Sequence, residues 1–270
     1  MTFGRTASLA IGSDSRGYLS MGRQYTPLWA VTAGPATDPF GASWLGGVGT
    51  VATATIRASN SIAYSYGYTY KTMLRPAPFV GLGAGVMYAP GEAATATSSR
   101  AGDQFGFNVS YGTSSFFVGY GFHEVRGSSP AISPTAPVSD QPRLKQQTLA
   151  ASYSFGPARV HAVLNKSSNG LAAAGAVDRL NWAVAGSATL GQGTVIALFG
   201  KADDKTAVNA DFKTLQIGYQ YNLSKRTALY GAAGQISNGD AASASLLGSN
   251  GTYAAGSRPR SIIAGVRHLF

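Results

Sequence analysis

Apolar and polar side chains alternate along most of this chain with a period of two. Successive side chains of a β-strand point to opposite faces, so the alternation predicts strands with one apolar and one polar face. In 103–112, Phe105, Phe107, Val109 and Tyr111 share one parity, and Gln104, Gly106, Asn108 and Ser110 the other. In 115–126 the apolar face is Phe116, Val118, Tyr120 and Phe122. In 211–223 it is Leu215, Ile217, Tyr219 and Tyr221, opposite Thr214, Gln216, Gly218 and Gln220. The last segment sets Ile262, Ala264, Val266 and Phe270 against Ser261, Gly265 and Arg267, and stops on an aromatic residue. Thirteen strands are predicted, near 4–12, 16–24, 56–66, 79–89, 103–112, 115–126, 144–155, 158–167, 179–190, 193–202, 211–223, 226–237 and 260–270. Clusters of Gly, Asn, Asp, Ser and Pro separate them.

The connections alternate in length. Those at 13–16, 112–114, 156–157, 191–192 and 224–225 are short, whereas 25–55, 90–102, 127–143, 168–178, 203–210 and 238–259 are long. Short turns at one end and long loops at the other is the arrangement of an outer-membrane β-barrel. The connection 67–78 is longer than its place in this alternation requires. The polar faces carry Gln, Asn, Ser, Thr and Gly, which suits a wet lumen; a soluble sandwich would turn large residues in and charges out. The prediction is an all-β, antiparallel transmembrane barrel, one domain over 1–270, with almost no helix outside 25–55.

Composition sharpens this picture. Charged residues make up 12% of the 270 and hydrophobic ones 44%, with 14 tyrosines and 35 glycines. Few charges and many aromatic and small residues suit an outer face in lipid. No apolar run approaches the length a membrane helix needs, and a chain that spans lipid without helices must be a barrel, because backbone groups there need internal partners. The absence of cysteine excludes disulfides and thiolate chemistry. The net charge of +10 is scattered one residue at a time and forms no basic stripe, which argues against nucleic acid. The N-terminus runs straight into a strand pattern without a charged and apolar leader, so a signal segment is expected ahead of it.

Several segments carry a family resemblance: Gly22-Arg-Gln-Tyr-Thr-Pro27, Asp38-Pro-Phe-Gly41, Arg57-Ala-Ser-Asn-Ser-Ile62, Met87-Tyr-Ala-Pro-Gly-Glu92, Tyr221-Asn-Leu-Ser-Lys-Arg-Thr227 with Leu229-Tyr230, and Gly265-Val-Arg-His-Leu-Phe270. Taken in order, the chain resembles a general bacterial porin of the β-proteobacterial type. The resemblance implies a sixteen-stranded outer-membrane barrel, passive diffusion of small hydrophilic solutes, a homotrimer in lipid and lipopolysaccharide, and no cofactor. It also implies a third loop folded into the pore. The loop 25–55 matches it, so the thirteen strands correspond to the family's fourth to sixteenth, with three strands expected ahead of them. The family's last strand pairs with its first, and its trimer contact lies around its first strands. A chain lacking those strands is expected to leave an open edge and to trimerise poorly.

By the same resemblance, Arg23 and Arg57 match wall arginines and Asp38 the acidic tip of the loop, together forming the pore constriction. Two cations facing one acid across a narrow wet gap would favour anions. The residues themselves leave alternatives open. Arg23 shares parity with Leu19 and Met21, so it faces outward unless the strand bulges or ends there. Asp38 before Pro39 also fits a turn or cap residue. Arg159, Arg179 and Arg267 lie on the polar parity of their strands, as lumen residues or as interfacial residues near strand ends. Two other roles compete with the channel. Long loops at 127–143 and 238–259 suit an adhesin, and His123, His161 and His268 admit a barrel phospholipase, although no Gly-x-Ser-x-Gly elbow or metal-ligand spacing is present.

Overall fold

Thirteen strands form where the alternation places them. The computed structural model describes residues 4–34, 36–41, 44–67, 80–91, 101–127, 143–172, 175–246 and 252–269. The strands are β1 (Ala7–Ser13), β2 (Gly17–Tyr25), β3 (Arg57–Tyr66), β4 (Gly81–Ala89), β5 (Gln104–Gly112), β6 (Phe116–Arg126), β7 (Arg143–Phe155), β8 (Ala158–Ser168), β9 (Asp178–Leu190), β10 (Gly193–Asp204), β11 (Phe212–Asn222), β12 (Thr227–Asn238) and β13 (Arg260–His268). They make one antiparallel sheet in sequence order. Among the described residues β1 pairs only with β2 and β13 only with β12. The terminal Phe270 and most of the connection 67–78 lie outside the described residues.

Helix is confined to the long connection 25–55 among the described residues, as predicted: α1 (Pro27–Thr32) and one 3-10 turn, Gly47–Thr50. Among the described residues no helix is long and apolar enough to cross a membrane. The start of α1 is local chemistry. Thr26 caps it, its hydroxyl accepting from the Trp29 N–H at 3.1 Å, and Pro27 stands at the first position, where a missing N–H costs nothing.

The two faces of the sheet differ as the parity requires. The outer face exposes Leu9 (81%), Ile11 (76%) and Ile262 (82%), together with most of the large apolar residues of every other strand. An apolar surface this continuous belongs in lipid. At the short-turn end it carries a ring of exposed aromatics, Tyr66, Tyr111, Tyr153, Phe155 and Tyr221, the girdle of a barrel at the membrane interface. The buried apolar core lies on the other face. There Val31, Phe40, Leu45, Val48 and Val51 of the connection 25–55 pack against Val163, Ala183, Ile196, Leu198 and Ile236 of the wall. The connection therefore lies inside the curved sheet. Phe40, Trp44 and Leu45 are apolar because they have a wall to meet, whereas Trp29 lies against Gly49 on the returning limb of its own loop.

Candidate pore constriction

The loop 25–55 crosses the inner face from β5 to β12 and returns along a second track to β3. Outbound, Asn108 donates to the Pro27 carbonyl (3.0 Å), Thr32 and Thr148 share a hydroxyl hydrogen bond (2.8 Å), and His161 Nδ1 donates to the Ala36 carbonyl (3.1 Å). At the far end Trp44 stacks on Tyr230 of β12, centroids 4.8 Å apart and planes 15° off parallel. On the return, Gln216 bonds to Gly47, Asn165 accepts from the Thr53 N–H (2.9 Å), and Gln146 accepts from the Thr55 N–H (2.9 Å). Thr148 and His161 lie nearer the short turn at 156–157 than Gln146 and Asn165 do, so the return track runs above the outbound one. Small wall residues make room. A side chain at Gly121, Gly200, Gly218 or Gly234 would press on Leu28, Val51, Phe40 and Leu45 respectively.

This corrects one sequence reading. Asn108, Gln216 and Gly218 stand on the polar parity, but Asn108 and Gln216 are buried in hydrogen bonds to the loop, and Gly218 lies beneath Phe40 and Trp44. The loop's backbone N–H and C=O groups lie buried between apolar contacts, and each needs a partner there. Asn165 supplies the most: besides accepting from Thr53 and from Asn181, its amide donates to the carbonyls of Thr53 and Gln147 and to Thr148 Oγ1. Replacing Asn165 by alanine leaves several of these groups unsatisfied, at about 1–3 kcal/mol each. The expected result is a lower unfolding midpoint in denaturant than for a surface control such as Lys213→Ala.

Asp38 is 1% exposed. Its carboxylate accepts from the N–H groups of Phe40 (3.0 Å) and Val48 (3.2 Å), so it ties the two limbs of the loop together near the tip. It is a turn residue turned inward on its own loop, and no carboxylate of the described loop faces the pore. Arg23 and Arg57 are also placed otherwise than the resemblance implies. Register shifts between Gly22 and Gln24, with Asn60 at φ 48° on the bulged partner strand. Arg23 and Tyr25 keep the outward parity of Leu19 and Met21 along β2, and the bulge on β3 turns Ala58 in beside Gln24 and leaves Arg57 and Ser59 outward with Ile62. There Arg23 donates to Ser59 Oγ (2.7 Å) and the Gly4 carbonyl (3.0 Å). Arg57 donates to the Tyr25 hydroxyl (2.8 Å), which Arg5 also reaches (2.8 Å), with its guanidinium 4.5 Å over the Tyr25 ring.

The inward charges are the other arginines. Arg159 shares its face with buried His161 and donates to Ser152 Oγ (2.8 and 3.2 Å). Arg179 faces in beside Asp204, its direct cross-strand neighbour. Arg267 faces in on β13, opposite Ala228, and is exposed. Among the described strand residues, the inner face thus carries three arginines and one acid. The Asp204 carboxylate accepts from the Thr206 (3.0 Å) and Ala210 (3.1 Å) N–H groups of the following turn. His123 and His161 are buried, His123 Nε2 lying 3.0 Å from Gln104 Oε1. They sit in the packing of the wall and the loop. The described residues hold no cluster of His, Asp and Glu able to bind a metal.

An inward loop on an antiparallel wall with an apolar outside defines a membrane channel architecture, and comparison with known proteins agrees. The sequence profile of the Gram-negative porin family matches residues 1–241, and the chain belongs to that family. Its place is the outer membrane. It is 29% identical over 220 residues to outer membrane porin protein 32 of Delftia acidovorans, covering 80% of this chain and 57% of that protein. The chain thus spans a little over half the length of this relative. An anion-selective porin from Comamonas acidovorans superposes with a TM-score of 0.73 at 24% identity, over 99% of this chain and 78% of that one. Salmonella typhi OmpF, in a complex with daunomycin, does so with a TM-score of 0.67 at 17% identity, over 98% and 78%.

Proposed function

We propose that this protein is a general diffusion porin that passes small hydrophilic solutes and prefers anions. Residues 1–270 contribute one barrel domain, and 25–55 is its constriction loop. The observation that carries the preference is the charge of the inner face. Arg159, Arg179 and Arg267 face in, while among the described residues Asp38 of the loop and Asp204 of the inner wall are held by backbone N–H groups, of Phe40 and Val48 and of Thr206 and Ala210. Fixed positive charge along a narrow aqueous path raises the local concentration of anions. The relatives described as a porin and an anion-selective porin support the same reading. A loop bonded across the wall suits a channel of set width better than an adhesin; against a phospholipase stand the burial of His123 and His161 and the outward place of His268, whose Nδ1 lies 2.9 Å from Thr227 Oγ1.

The outer face meets lipid and lipopolysaccharide. Leu9, Ile11, Leu19 and Met21 on β1 and β2, and Ile262, Ala264 and Val266 on β13, form apolar strips at the two opposite edges of the sheet. The homotrimer that the family resemblance implies is expected to form poorly while these two edges stay unpaired with each other. The test of function is the reversal potential of the purified protein in planar bilayers across a potassium chloride gradient. The expected sign is that of chloride preference. Cation preference, or no conductance from inserted protein, overturns the proposal.

A further inference from the structure

We propose that Trp44, Tyr230 and Arg267 form a binding step for planar organic anions, solutes that carry a flat unsaturated ring and a carboxylate. The inference rests on the porin reading and deepens it. Tyr230 points inward from β12, and its hydroxyl end lies across Gly265, its direct partner on β13. A Cβ at Gly265 would meet the Tyr230 ring carbons at 2.8 and 3.0 Å, so the glycine lets the ring lie against the wall. Trp44 stacks on that ring from the loop tip at 4.8 Å, and both rings are only half-buried. Phe40 closes the loop side of the step, edge-on to Trp44 at 6.1 Å.

Arg267 stands two residues beyond Gly265 on the same inward parity, about 7 Å along the strand. It is exposed and has no ion-pair partner among the described residues. No acidic side chain shares the described inner faces of β11, β12 and β13. A flat aromatic surface and an unpaired guanidinium at this spacing offer two distinct handles. A ring stacks or sets its edge against the aromatic step, and a carboxylate accepts from the guanidinium. Chloride or acetate uses only the second handle, and a saturated ring of equal size gains less from the first.

The test measures chloride currents through the purified channel in planar bilayers as benzoate or cyclohexanecarboxylate is added. Benzoate is expected to reduce the current at the lower concentration. Arg267→Gln raises the half-blocking benzoate concentration about two- to fivefold, the range for an exposed charge pair. Tyr230→Leu, which keeps an apolar side chain over Gly265, brings benzoate to the level of cyclohexanecarboxylate, a change of about two- to tenfold. Equal block by the two acids in the unaltered protein, or an Arg267→Gln channel with unchanged benzoate block, overturns the inference while chloride conductance leaves the porin reading standing. Absence of chloride current overturns both.

Discussion

Replacing Arg159 by alanine is expected to lower the anion-to-cation permeability ratio up to about tenfold at low salt, whereas replacing Arg57 by alanine leaves the ratio unchanged. Arg159 faces the lumen with no acid among its hydrogen-bond partners, both of its donated bonds going to Ser152 Oγ. Arg57 lies on the outward parity, bonded to Tyr25. A unit charge about 6 Å from a permeating ion contributes about 0.7–2.8 kcal/mol for effective dielectric constants between 80 and 20. The lumen is wet, so the lower end applies; ~0.7 kcal/mol gained by the anion and the same amount lost by the cation make about 1.4 kcal/mol in their ratio, a factor of about ten. The effect shrinks as salt shortens the screening length to a few ångströms near 1 M. Reversal potentials at two salt concentrations check it. A changed ratio in the Arg57→Ala channel with an unchanged one in Arg159→Ala would return the selectivity to the segments that carry the family resemblance and refute the inward register drawn above.

Replacing Asp38 by alanine is expected to loosen the loop, with larger and noisier single-channel conductance, and to leave selectivity nearly unchanged. The carboxylate is buried and accepts from two backbone N–H groups, those of Phe40 and Val48. Each N–H left without a partner costs about 1–3 kcal/mol. Gly47→Ala should act in the same direction by a different route. Gly47 sits at φ 52°, where side chains are strained, and a Cβ there would run into the Asp38 carboxylate. The wall contacts of the outbound limb, from Asn108 to His161, remain in both variants, so the tip moves and the base stays. Single-channel recordings of both variants decide the matter. Quiet, normal conductance with increased anion preference in Asp38→Ala would show Asp38 acting as a pore charge instead of a turn residue.

The strands were legible in the sequence because the signal for them is local. Phe105, Phe107, Val109 and Tyr111 need only their own spacing to declare an outer face, and the structure keeps them there. The same holds for the alternation of connection lengths and for 25–55 as the segment with apolar residues to bury. The sequence by itself therefore determined thirteen strands, their faces, and the inward loop. Arg23 on the parity of Leu19 and Met21, and Arg159, Arg179 and Arg267 on their polar parities, stand where local spacing puts them, whereas the facing of Arg57 and the burial of Asp38 were decided only by tertiary structure. A one-residue bulge at Ser59 and Asn60 fixes the facing of Arg57, and a bulge exists only as a relation between two paired strands. Spacing alone points the lumen-parity amides to water because their partners lie far along the chain, Gln216 to Gly47 and Asn165 to Thr53. Asp38 looked like a pore charge until the fold wrapped its own loop around it. Period-two patterning reports which side of a sheet a residue takes; what meets it on that side is a matter of long-range packing.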